Sequence, residues 1–145
     1  NGGRFENLLV DLAGGDPVNR MIKRSGKPGV NLSHEEFLSL NPDWICISGL
    51  FSLPKEECIA YCKNNNLMVP AIIENKVIEV PPSWDFGSPR WILGLMLLAQ
   101  SFHPENCTWN MDEVADQFYQ RFYHVPYQSV QPTRSFIKAS AKIFG

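Results

Sequence analysis

The stretch Asp43 to Gly49 reads DWICISG: a short apolar run that follows Asn41-Pro42 and is closed by Gly49. A strand with successive rather than alternate apolar residues must be covered on both faces, as happens in parallel sheets flanked by helices. A second short run, NKVIEV, ends at Pro81-Pro82 and reads as another such strand. These two runs constrain the chain most, because parallel strands need helical crossovers between them.

The surrounding segments supply those helices. Phe5 to Ala13 carries apolar residues at helical spacing (Phe5, Leu8, Leu9, Leu12) and stops at Gly14-Gly15. Ser33 with Glu36 three residues on is a capping box that opens a short helix ending before Asn41-Pro42. Pro54 opens a helix to about Asn64, after which NNNLMVPAI is expected to return the chain to the sheet. Ser88-Pro89 starts a helix to about Phe102 that is apolar nearly all round and therefore central. Asn110 with Glu113 caps another, with Val114, Phe118, Phe122 and Val125 on one face, and residues 134 to 144 read as a terminal helix. Strands alternating with helices give an α/β fold, a three-layer αβα sandwich around a mainly parallel sheet. Its ligand crevice is expected beyond the carboxyl ends of the strands.

Composition narrows the function. With 145 residues the chain fits one domain with one core, and a formal charge of -2 offers no basic field for nucleic acid. The longest apolar run, Trp91 to Ala99, is far short of the ~20 residues a membrane span needs. The opening NGGRFENLLVDLAGG has no lead-in and reads as an excised piece, so the lack of a signal-peptide pattern in residues 1 to 20 excludes neither an export signal nor a lipid anchor. Cys46, Cys58, Cys62 and Cys107 are too sparse for a disulfide scaffold and contain no CxxC, so buried or partly buried thiols are expected.

Two segments fall at the carboxyl ends of the strands: GLFS, with Leu50 and Phe51, and PSWDFGSPR. In the second, Trp84 and Phe86 flank Asp85 in a loop stiffened by Pro81, Pro82, Gly87 and Pro89, which suits a flat apolar wall for a bulky ligand. Ser88 and Arg90 stand at a helix N-terminus, where free N–H groups favour an anionic group. Alternatively, Trp84 and Phe86 merely cover the end of the apolar helix and Arg90 pairs with Asp85. HPENC contains H-x-E without the P-C-x-x-C that follows it in zinc deaminases, so His103 reads as a helix-end residue and no metal site is expected. His34 and His124 read as structural or solvated. The chain has no GxSxG, Walker loop or GxGxxG, and no visible nucleophile and base pair, so no enzyme activity and no resident cofactor are expected. Glu35 and Glu36, adjacent on a short helix, point in different directions and cannot act jointly on one bond.

The ordered series LLVDLAGGDPVN, LSHEEFLSLNPDWICISG, VPAIIENKVIEVPPSWDFGSPRWILGLMLLAQSFHPE and DQFYQRFYHV resembles the C-terminal lobe of the class III substrate-binding proteins of ABC importers for vitamin B12, iron siderophores and haem. The likeness spans residues 5 to 125. It implies a single lobe over residues 1 to 127 whose first strand is missing, a C-terminal extension over 128 to 145, and an absent N-terminal lobe that supplies the other half of the cleft. It also implies an iron or cobalt chelate as ligand, held by Trp84, Phe86, Ser88 and Arg90 with Leu50 and Phe51 nearby. Glu35, or failing that Glu36, would dock on arginines of an ABC permease. The full protein would then sit at the periplasmic or outer face of the cell membrane, lipid-anchored. Two other readings stay open: a metal-oxyanion (molybdate or tungstate) receptor of the same class, and a binding-protein-like sensor or interaction domain in a larger protein.

Overall fold

A computed structural model describes residues 5–23, 30–51, 53–85 and 88–131. The first helix, α1 (Phe5–Leu12), is followed by a 3-10 turn (Val18–Met21) and α2 (His34–Leu40). The strand β1 (Ile45–Ile47) leads to α3 (Lys55–Asn64), the single turn α4 (Pro70–Ile73) and the strand β2 (Val77–Glu79). Two longer helices, α5 (Trp91–Phe102) and α6 (Met111–Tyr123), and a 3-10 turn (Tyr127–Ser129) complete it.

The strands pair in parallel, Ile45 opposite Val77 and Ile47 opposite Glu79. Both faces of this small sheet are covered. On one face Ile78 and Val80 pack with Leu9 and Ala13 of α1, Leu93 and Leu98 of α5, and Ala115 and Tyr119 of α6. On the other, Ile47 and Val77 pack with Cys62 of α3, Leu67, Val69 and the α4 residues Ala71 and Ile72. The architecture is α/β with helices on either side of a parallel sheet, as the apolar strands require. Fully burying one of the largest of these side chains, such as Leu9, Ile72 or Leu93, contributes roughly 1.5–3 kcal/mol.

The caps hold as expected. The Ser33 hydroxyl accepts from the Glu36 N–H at 3.2 Å and the Glu36 carboxylate accepts from the Ser33 N–H at 2.8 Å. The Asn110 side chain accepts from the N–H groups of Asp112 and Glu113.

Three expectations need correction. Residues 70–73 are helical rather than extended, since Pro70 at the first helical position fixes φ for a turn that Val69 opens. The inward face of α6 is wider than the expected stripe and ends sooner: Val114, Phe118 and Val125 pack beside the buried Ala115 and Tyr119, while Phe122 is 63% exposed and rests on Phe118, centroids 4.8 Å apart. The helix α5 begins at Trp91 rather than Pro89, with Ser88 closing the preceding turn: its carbonyl accepts from the Trp91 N–H at 3.2 Å and its hydroxyl from the Arg90 N–H at 3.2 Å. The expected helix at 134 to 144 lies outside the described residues.

Candidate functional site

The loops after β1 and β2 lie side by side at the carboxyl ends of the strands, and the backbone explains why they touch. Gly49 sits against the second loop so closely that a Cβ there would fall 2.7 Å from the Pro81 carbonyl carbon and 2.8 Å from Pro82 Cα. Only glycine permits that approach.

One side chain ties the two loops together. Asp85 is buried, and its Oδ2 accepts from the Gly49 N–H at 3.0 Å and from the Ser48 hydroxyl. Charge-assisted bonds of this kind are about twice as strong as neutral ones, which makes Asp85 the clasp of the crevice. Its Oδ1 is buried with no hydrogen-bond partner. The pairing of Asp85 with Arg90 that the sequence allowed is not made. Arg90 turns the other way: its Nε donates to the Ser88 hydroxyl at 3.0 Å, its NH1 lies 3.5 Å from the Tyr119 hydroxyl, and its guanidinium sits 5.8 Å from the Tyr123 ring centre. The Ser88 hydroxyl in turn donates to the Ser83 carbonyl at 3.0 Å.

Trp84 does not offer its ring as a ligand surface. It is 3% exposed, its ring lies against Tyr127 with centroids 5.5 Å apart, and its backbone crosses α5 at Gly94, where a Cβ would stand 2.9 Å from the Trp84 carbonyl carbon. The tryptophan anchors the loop in the core instead. The apolar surface that the crevice does present comes from the first loop: Leu50 is 57% and Phe51 64% exposed. Of the six residues expected at the site, Leu50 and Phe51 are exposed, Ser88 and Arg90 half-buried and Trp84 buried, and Phe86 lies outside the described residues.

Glu35 and Glu36 divide their roles as adjacent helical positions must. Glu36 closes the capping box, whereas Glu35 is exposed and its carboxyl is held below the usual range by a hydrogen bond from its own backbone N–H and by the Ser33 hydroxyl. The neighbouring His34 ring nitrogen lies 3.1 Å from the Tyr61 hydroxyl, fixing α2 on α3.

Ser48 was not singled out by sequence reasoning, and Asp85 was considered only as a partner for Arg90. The available signal was a lone carboxylate in a Gly- and Pro-rich loop beside a Ser-Gly turn, a pattern suited to accepting loop N–H groups. Among the described residues no three His, Cys, Asp or Glu side chains gather as a metal site, and the four cysteines are free thiols.

Comparison with known proteins places the fold. The chain is similar to a crystal structure of a periplasmic solute-binding protein from Veillonella parvula, with a TM-score of 0.66 over 90% of this chain and 22% identity. It spans 39% of that chain. No family model and no curated protein matches. The likeness is one of fold: this α/β unit has the shape of a part of a solute-binding protein.

Proposed function

We propose that this chain is one lobe of a solute-binding protein of an ABC importer, which closes with a second lobe on a bulky ligand and hands it to a membrane permease. The observation that carries the reading is the exposure of Leu50 and Phe51 at the carboxyl end of a parallel strand, on a loop clasped by Asp85. Exposed apolar side chains on a fixed loop suit a ligand with large apolar faces, and the half-buried Arg90 guanidinium suits anionic groups at its rim. An iron or cobalt chelate, namely a ferric siderophore, cobalamin or haem, combines both features. A bare oxyanion such as molybdate is less well served, because it offers no apolar face to the exposed Leu50 and Phe51.

Capture needs no covalent step. Burial of the ligand's faces supplies affinity, and the lobes exclude water as they meet. Glu35, exposed and anionic at neutral pH, would present the charge that docks on permease arginines. The reading places the complete protein in the periplasm or on the outer face of the membrane, anchored by lipid.

The test is a thermal-shift screen of the complete two-lobed protein against cobalamin, haem, ferric siderophores, molybdate and tungstate. Saturable stabilisation by a chelate supports the reading, since a ligand that binds only the folded form raises Tm by mass action. Stabilisation by an oxyanion alone would transfer the cargo class. No response from a folded protein would favour an interaction domain without a transported ligand.

A further inference from the structure

Beside the Asp85 clasp lies a small cavity of about 90 Å³, and its charge is one-sided. Asp85 and Ser48 line it from the two loops, Glu6 and Asn7 from the first turn of α1, and Asn19 from the 3-10 turn that follows. Asn19 Nδ2 donates to Asn7 Oδ1 at 3.2 Å, which holds that turn against α1 beside the cavity. The rest of the lining is apolar apart from Cys46, so a charge inside is weakly screened.

Two carboxylates therefore share this cavity, and no described cation answers them. Among the described residues no Lys, Arg or His lines it. Arg20, next in sequence to Asn19, is engaged with Asp11, and Arg90 turns to Ser88 and the Tyr123 ring. Asp85 is 3% exposed, and its Oδ2 is occupied by the Ser48 hydroxyl and the Gly49 N–H while Oδ1 has no partner. A buried carboxylate oxygen of this kind is costly until a proton, water or a cation completes it.

The donor set favours one of these. Carboxylate, amide and hydroxyl oxygens are hard ligands, which suit Ca²⁺ better than a metal that prefers nitrogen or sulfur. Ca²⁺ accepts irregular sets of oxygens with waters among them, whereas Mg²⁺ demands a near-ideal octahedron. The cavity has room for the ion with one or two waters, each of which takes roughly 30 Å³.

We propose that this cavity binds Ca²⁺, held by the carboxylates of Asp85 and Glu6 with the Asn19 amide oxygen and waters, so that the ion ties α1 to the clasped loops. Two charged ligands are few for a strong site, which sets a dissociation constant on the order of 10⁻⁴–10⁻³ M, the range of extracellular calcium modules. This inference concerns the support of the crevice and stands whether or not the lobe binds a chelate.

The experiment follows Tm of the complete protein, first stripped with a chelator, as CaCl₂ is raised, against MgCl₂ and against NaCl of equal ionic strength. Ca²⁺ should raise Tm saturably, by about 4–6 °C at about ten times its dissociation constant, because it binds only the folded form. MgCl₂ should do less, and NaCl should not reproduce the rise. Glu6→Gln, at a partly exposed position that leaves the core intact, should weaken calcium binding about tenfold in a calorimetric titration. Asp85→Asn, which keeps an oxygen for the Gly49 N–H, should abolish it. Glu57→Gln on α3, which does not line the cavity, should bind as the parent does. A rise no greater than NaCl produces would overturn the proposal and leave Oδ1 to water or a proton. Calcium binding that survives both Glu6→Gln and Asp85→Asn unchanged would overturn it equally.

Discussion

Replacing Asp85 by Ala is expected to loosen the crevice more than a change of any other polar side chain in its two loops. The carboxylate accepts from the Ser48 hydroxyl and from the Gly49 N–H while 3% exposed. Hydrogen bonds to a charged group contribute about 1.5–3 kcal/mol each, which sets a gross loss of about 3–6 kcal/mol. Part of this is offset, since the buried Oδ1 has no partner and its desolvation, about 1–3 kcal/mol, is relieved when the carboxylate is removed. The net loss is about 2–3 kcal/mol. For a chain of this size about 3–4 °C of Tm accompanies each kcal/mol, so a thermal melt at neutral pH should fall by about 6–12 °C. Ser48→Ala should cost less, and the double variant should fall short of the sum by on the order of 1 kcal/mol, because both single changes break one bond. A fall of less than ~2 °C for Asp85→Ala, or additivity within ~0.3 kcal/mol in the double variant, would show that the clasp does not hold the loops.

Other expectations follow from the same contacts. Trp84→Ala, which empties a core position, should destabilise by about 3–5 kcal/mol in urea unfolding, whereas Phe51→Ser, at an exposed position, should change stability by less than ~0.5 kcal/mol. Gly94→Ala drives a methyl group into the Trp84 backbone and should cost about 1–3 kcal/mol, read as a lower urea midpoint at unchanged slope. Stability should also fall at alkaline pH. Burial, and then the adjacent Cys58, pushes the Cys62 thiol from 9.0 up to about 11, and burial, followed by Tyr119 and Asp112, pushes Tyr127 from 10.0 up to about 12. Groups with raised folded values contribute fully below their ordinary values and lose that contribution as pH climbs through the folded ones. Melts from pH 8 to 12 should therefore show Tm flat at first and dropping above about 9, with Tyr127→Phe flattening the upper part of the fall.

The helix starts were legible because a cap is a local event. Ser33 with Glu36 and Asn110 with Asp112 and Glu113 satisfy one another within one turn, and the sequence holds both partners. The strands around Cys46 and Ile78 were legible for a related reason, since a short apolar run between breakers has few other ways to be buried. The turn at Pro70 carried the same kind of signal as Pro54 but was masked by the β-branched, apolar residues around it. What could not be read locally was the fate of Trp84 and Asp85. The Ser48 to Asp85 bond spans 37 residues, and Trp84 is buried by Tyr127, from the far end of the described chain. A stiff aromatic loop looks alike in sequence whether its rings face the core or a ligand. Tertiary packing decided it, leaving Leu50 and Phe51 as the apolar surface of the crevice.

The most direct measurement of the central claim is a calorimetric titration of the complete two-lobed protein with cobalamin, haem and a ferric siderophore, repeated for Phe51→Ser and Arg90→Ala. Saturable binding of one chelate is expected, weakened about tenfold or more by Phe51→Ser, at unchanged Tm of the free protein. Arg90→Ala should weaken binding further when the chelate carries anionic groups. Binding that is indifferent to both substitutions would contradict the placement of the ligand at the carboxyl ends of the strands.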